Sequence, residues 1–120
     1  MDKKTQRYNM RQIRLMEQRI KEYKEYKISI GLLITDFEAL VYRLQYTPKS
    51  IIDNFIDLWW ELEIPYAVAL NQERDVFTDD EVQRIRTALD GLERLIHHYK
   101  EHYLPSVKEL DDEELAVELD

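Results

Sequence analysis

From Val82 onward, seven apolar side chains recur at intervals of three and four without a break: Val82, Ile85, Leu89, Leu92, Ile96, Tyr99 and Tyr103. With about 3.6 residues per turn, that alternation keeps every member on one face of a helix. A seam of this length cannot be covered by the helix that carries it, so the chain must supply other helices to pack against it. The seam has clear ends. Thr78-Asp79-Asp80-Glu81 reads as a capping box with acid in the first turn, and Pro105 closes the run.

Three further segments repeat the pattern. Residues 4–26 place Ile13, Met16, Ile20 and Tyr23 on one stripe, with Met10 before them. Residues 30–45 do the same with Ile30, Leu33, Phe37, Leu40 and Leu44, and Ser29 is their expected N-cap. Thr47-Pro48 reads as a restart, with a capping hydroxyl before a proline at the first helical position. Residues 48–70 then carry Ile52, Phe55, Trp59, Leu62, Tyr66 and Ala69. A second apolar set there (Ile51, Ile56, Trp60, Ile64) predicts neighbours on two sides, and Pro65 predicts a kink near residues 61–64. Short connections between long amphipathic helices predict an all-α, antiparallel up-down bundle of about four helices over residues 1–105. Residues 106–120 hold one lysine and seven acids, and are expected to be a solvated acidic tail, disordered or forming a short helix around 111–118.

Composition narrows the class further. Two glycines and three prolines in 120 residues are too few for the turns of a β-sandwich or a dinucleotide-binding fold. Without cysteine there is neither a disulfide nor a thiolate metal site. The N-terminal residues lack the apolar core of a secretion signal, and the longest apolar stretch, residues 28–34, is far short of a membrane span. A cytoplasmic protein with no membrane partner is expected.

The net charge of −8 is unevenly spread: residues 1–27 carry nine basic residues and four acids, a net of +5, and the remainder has a net of −13. Such a surface repels a phosphate backbone, so nucleic acid is not an expected partner. The basic face of the first helix (Arg7, Arg11, Arg14, Lys21) is diluted by Glu17, Glu22 and Glu25.

Catalytic patterns are missing: there is no nucleophile elbow and no P-loop, and most hydroxyl residues sit where capping explains them. No cofactor and no enzymatic activity are expected. His98 and His102 lie one turn apart and are the candidate metal ligands, near Glu93 and Glu101. All of these come from a single helix, whereas a metal site in a bundle draws ligands from several, so surface histidines and no metal are expected.

Asp53, Asp57 and Glu61 recur at intervals of four, which stands three like charges in a row about 6 Å apart on the third helix. Cations must face such a row. They could come from the first helix, from a second copy, or from a partner. Trp60 lies beside the row, and tryptophan amid charge is the composition of a binding hot spot.

The segment Asp57-Leu58-Trp59-Trp60-Glu61-Leu62-Glu63-Ile64-Pro65-Tyr66-Ala67-Val68-Ala69-Leu70, with Ile28 to Leu40 before it, resembles small helical bacterial proteins associated with immunity to toxins. The likeness spans about residues 10 to 100, and Pro65 departs from it. It implies an acidic stopper that occludes a basic toxin surface. The leading expectation is therefore a non-enzymatic binding protein that presents Asp53, Asp57, Trp60 and Glu61 to a basic protein. The alternative is a structural homodimer held by the seam of the fourth helix.

Overall fold

Every expected helix forms, and a short fifth follows. The computed structural model describes residues 1–117: Lys3–Lys24 (α1), Ile30–Arg43 (α2), Lys49–Asn71 (α3), Asp79–Tyr103 (α4) and Asp112–Ala116 (α5), with no strand among them. Local side chains set most starts. The Asp2 carboxylate accepts the Thr5 N–H at 2.7 Å, and the Ser29 hydroxyl accepts that of Leu32 at 3.2 Å. The Thr78 box is complete, with Thr78 Oγ1 accepting the Glu81 N–H while the Glu81 carboxylate accepts the Thr78 N–H at 2.9 Å.

One start differs from its expectation. Pro48 itself takes the cap position of α3 with no side-chain bond, and the Thr47 hydroxyl turns instead to Gln45 O at 3.2 Å and Tyr99 Oη at 2.7 Å. A buried phenol competes for the hydroxyl, and the local cap loses. Further along, α3 runs as one assigned helix through the buried Pro65, although the ring leaves the Glu61 carbonyl without its helical donor.

With so few glycines, two helices end on left-handed residues that carry side chains. Tyr26 (φ 61°) follows α1 and Glu73 (φ 54°) follows α3. In each case paired backbone bonds close the last turn: Tyr26 to Tyr23 and Lys27 to Glu22, then Glu73 to Leu70 and Arg74 to Ala69. The two glycines serve packing instead. A Cβ on Gly31 would meet Tyr66 Oη at 2.7 Å, and one on Gly91 would meet Leu58 Cδ2 at 2.8 Å, so these are positions where helices approach closely.

The four long helices pack in a closed ring. The backbone of α1 lies beside that of α2, α2 beside α3, α3 beside α4 and α4 beside α1, while the backbones of the diagonal pairs stay further apart. Inside lie Met10, Ile13, Met16, Leu33, Phe37, Phe55, Leu62, Leu92, Ile96 and Tyr99, all buried. Most of the α4 seam is therefore covered by its own chain, from Ile85 to Tyr99, with Val82 left exposed and Tyr103 half-buried. Those seam side chains form part of the core of the single chain.

The core also extends past residue 105. Leu104, Val107 and Leu115 are buried within it and Leu110 packs against it, so the acidic segment is seated by its leucines and valine rather than solvated throughout. An apolar residue every three to eight positions is enough to anchor a short segment whose remaining positions face water. Residues 118–120 of the expected tail lie outside the described residues.

The start of α4 carries a pH dependence. Arg74 donates to both carboxylate oxygens of Glu81 at 2.8 and 2.9 Å, and with the Thr78 N–H this holds the Glu81 carboxyl down at about 2. A depressed carboxyl contributes its stability above its ordinary pKa and loses it as pH falls through the folded value. The advantage of wild type over Glu81→Gln in denaturant midpoint is expected to be constant above about pH 4.5 and to vanish towards about pH 2. A difference independent of pH across that window would show that charge plays no part in the cap.

Candidate functional site

α3 packs on α2 along one flank and on α4 along the other, and its backbone stays away from that of α1. Its periodicity of two apolar sets therefore meets only one inner surface. Phe55, Trp59, Leu62 and Ala69 are buried, as is Ile51 of the second set, and Ile56 is half-buried. Trp60, Ile64 and Val68 are left on the outside, with Trp60 49% exposed. At about 100° per residue, Ile56, Trp60 and Ile64 fall within one narrow strip of the helix, with Asp53 and Asp57 on the same face.

Trp60 stands on a rigid base. Its ring meets the Trp59 ring edge-on at 4.9 Å and 71°, and the buried Trp59 indole donates to Ile34 O of α2 at 2.8 Å. The exposed indole thus packs on a neighbour that is itself hydrogen-bonded and buried. No described residue accepts the Trp60 N–H.

The acidic row is neutralised at its ends and open in the middle. Lys49, one turn earlier on α3, holds Asp53 at 2.8 Å. Arg84 of α4 holds Glu61 at 2.6 Å. Asp57, the member between them and three residues from Trp60, has no cation within ion-pair distance among the described residues. The basic first helix does not face this row, as one sequence alternative had it. Its cations go elsewhere: Arg19 to Asp36 of α2 at 2.8 Å, Lys24 to Glu93 of α4, and the arginines of its first half to the segment after α4.

The site that emerges keeps all four residues singled out by spacing on one exposed stretch of α3, with Glu61 half-buried against α4. Beside them are exposed Ile64, which periodicity had assigned to a second packing neighbour, and Val68, which the sequence reading had not singled out. Arg84 could not be matched to Glu61 from sequence, because their pairing depends on the register between α3 and α4.

The histidines do come together. His98 and His102 are both exposed, with ring centroids 4.2 Å apart. Among the described residues no group of three His, Asp or Glu side chains is arranged to hold a metal. Glu101, the nearest carboxylate in sequence, is engaged by Lys108 at 2.8 Å, which holds its carboxyl below the usual range. Two open grooves lie between α1 and α4. One, of about 460 Å³, is lined by Ile20, Lys21, Lys24, Glu93 and His97; the other, of about 590 Å³, by Tyr23, Ile28, Val82 and Leu89. Neither is lined by serine or threonine. No described helix is long and apolar enough to cross a membrane.

Comparison with known proteins finds no match to this chain, whether among family models, curated proteins or solved structures.

Proposed function

We propose that this chain is a non-enzymatic protein-binding module whose working surface is the outer face of α3, and whose partner is a basic protein. One observation carries the reading: a half-exposed tryptophan that packs edge-on against a buried one stands beside a carboxylate, Asp57, with no cation at ion-pair distance among the described residues. The aromatic ring supplies the desolvated anchor, and the acids around it steer and orient a cationic partner. An immunity-type inhibitor acting in the cytoplasm is the form of this role implied by the resemblance of residues 28–40 and 57–70. We also take the four long helices to run antiparallel, up and down. Asn9 meets Gln45 while Arg19 meets Asp36, and Lys100 meets Glu17 while Lys24 meets Glu93, so position rises along one helix as it falls along its neighbour. That arrangement stiffens α3 from both flanks and leaves its outer face as a flat platform.

The test compares wild type with Trp60→Ala and Asp57→Lys, each immobilised and exposed to extract of the native host. A partner held through this face is expected to bind Trp60→Ala about thirty-fold more weakly, which corresponds to a hot spot of about 2 kcal/mol. Asp57→Lys should slow association and flatten its salt dependence, while helicity by circular dichroism stays unchanged. A partner that binds both variants as it binds wild type would move the site elsewhere. Sedimentation equilibrium separates the homodimer reading: a dimer abolished by Trp60→Ala would make the second copy the occupant of this face.

A further inference from the structure

We propose that the arginine row of α1, with the apolar seat beside it, is a receptor for an acidic amphipathic segment, occupied at rest by the chain's own residues 104–117 and able to take the same segment from a second copy. This site is separate from the α3 face and does not depend on its role.

The receptor is built from three arginines spaced four and three apart, so that they share one side of α1. Arg14 donates to Leu110 O at 2.8 Å and pairs with Asp112 at 3.1 Å. Arg11 donates to Leu115 O at 3.1 Å, and Arg7 donates to both Glu114 O and Val117 O. The last carbonyls of a helix have no donors within it, and cations near them also oppose the helix dipole. α1 thus supplies from outside what α5 cannot supply itself. Gln6 extends the cradle by accepting the Ser106 N–H at 3.1 Å.

The ligand half is equally defined. Leu104, Val107 and Leu115 are buried, while Glu109, Asp111, Asp112 and Glu113 face outward. A five-residue helix has no stability of its own in water. The backbone of α5 lies against that of α1 and of no other helix, so its order derives from this docking. Recognition therefore has two terms, an apolar insertion and a charge-assisted grip on backbone carbonyls, and neither requires that receptor and ligand belong to one chain. Whenever the segment lifts off, a molecule exposes both an open receptor and a matching ligand, and the occupant that fits it by construction is the segment of another copy.

The test uses the full chain carrying Leu115→Asp, which cannot reseat its own segment, and a fluorescent peptide of residues 104–117 followed by anisotropy. The peptide is expected to bind Leu115→Asp at least about tenfold more tightly than wild type, because the resident segment competes only in the latter. Adding salt should weaken that binding, and adding Arg7→Gln with Arg14→Gln should remove at least about tenfold of it. Equal binding to wild type and Leu115→Asp, or binding indifferent to the arginines, overturns the proposal. Should Leu115→Asp lose helicity, Leu115→Ala takes its place in the same comparison. Hydrogen exchange on the otherwise wild-type chain gives a separate readout. Arg7→Gln with Arg14→Gln should speed exchange at residues 112–116 and leave the amides of α2 and α3 unchanged, and unaltered protection at 112–116 overturns the proposal.

Discussion

Alanine at position 55 is expected to cost the fold about 4 kcal/mol, the middle of the range for losing a buried aromatic ring. Phe55 is fully buried and stands between Phe37 of α2 and Tyr99 of α4, with both ring centroids 6.2 Å away. It is where three of the four long helices meet, so the cavity left behind has walls on three elements, and none can close it without disturbing its other contacts. For a domain of this size the loss corresponds to a fall in Tm of about 15 °C, measurable by calorimetry. A loss below about 2 kcal/mol would mean that the bundle collapses readily into the space, contrary to a ring held at fixed register.

The second large effect is polar. Asn9 is fully buried on α1, and its carboxamide closes a double link with Gln45, donating to Gln45 O at 2.8 Å and accepting the Gln45 N–H at 2.9 Å. It also donates to Tyr99 Oη at 3.1 Å. Because the single Thr47 proton goes to Gln45 O, the Tyr99 hydroxyl donates in turn to Thr47 at 2.7 Å, and the chain of bonds closes on itself. Burial holds the Tyr99 phenol above its ordinary range, so it stays neutral and keeps its proton for this role. Asn9→Ala removes these three bonds, leaves the Gln45 N–H without its acceptor and Gln45 O and the buried Tyr99 Oη each short of a donor, and is expected to cost about 3 kcal/mol. Urea titration at unchanged slope is the measurement. Tyr99→Phe in the Asn9→Ala background should then cost little further, since the two residues act through one network. Additive losses would contradict the network.

The helices were legible in the sequence because their causes are local. The run from Val82 to Tyr103, the Thr78 box and the Ser29 cap each depend on residues within about two turns, and each forms as read. Thr47 shows where that reasoning stops: its sequence neighbours favour a cap, and a phenol 52 positions away takes the hydroxyl instead. The acidic row is a similar case. Its alignment on one face of α3, and the i,i+4 pairing of Lys49 with Asp53, follow from spacing within the helix, whereas the pairing of Arg84 with Glu61 required the packing of α3 on α4.

The sequence by itself determined that this protein is all helical, where its long helices lie, and that a basic first helix needs acid to face it. Only the tertiary structure decided which acids: Asp36 of α2, Glu93 of α4 and Asp112 after α4, rather than the row on α3. It also decided which apolar stripe stays outside, leaving Trp60 and Ile64 uncovered while Leu115, in an acid-rich stretch, goes in. The physical reason is one of range. Periodicity and capping are set by a few bonded neighbours, but a side chain's burial and its ion partner depend on which helix packs against which, and that is settled by the joint packing of all of them around one core.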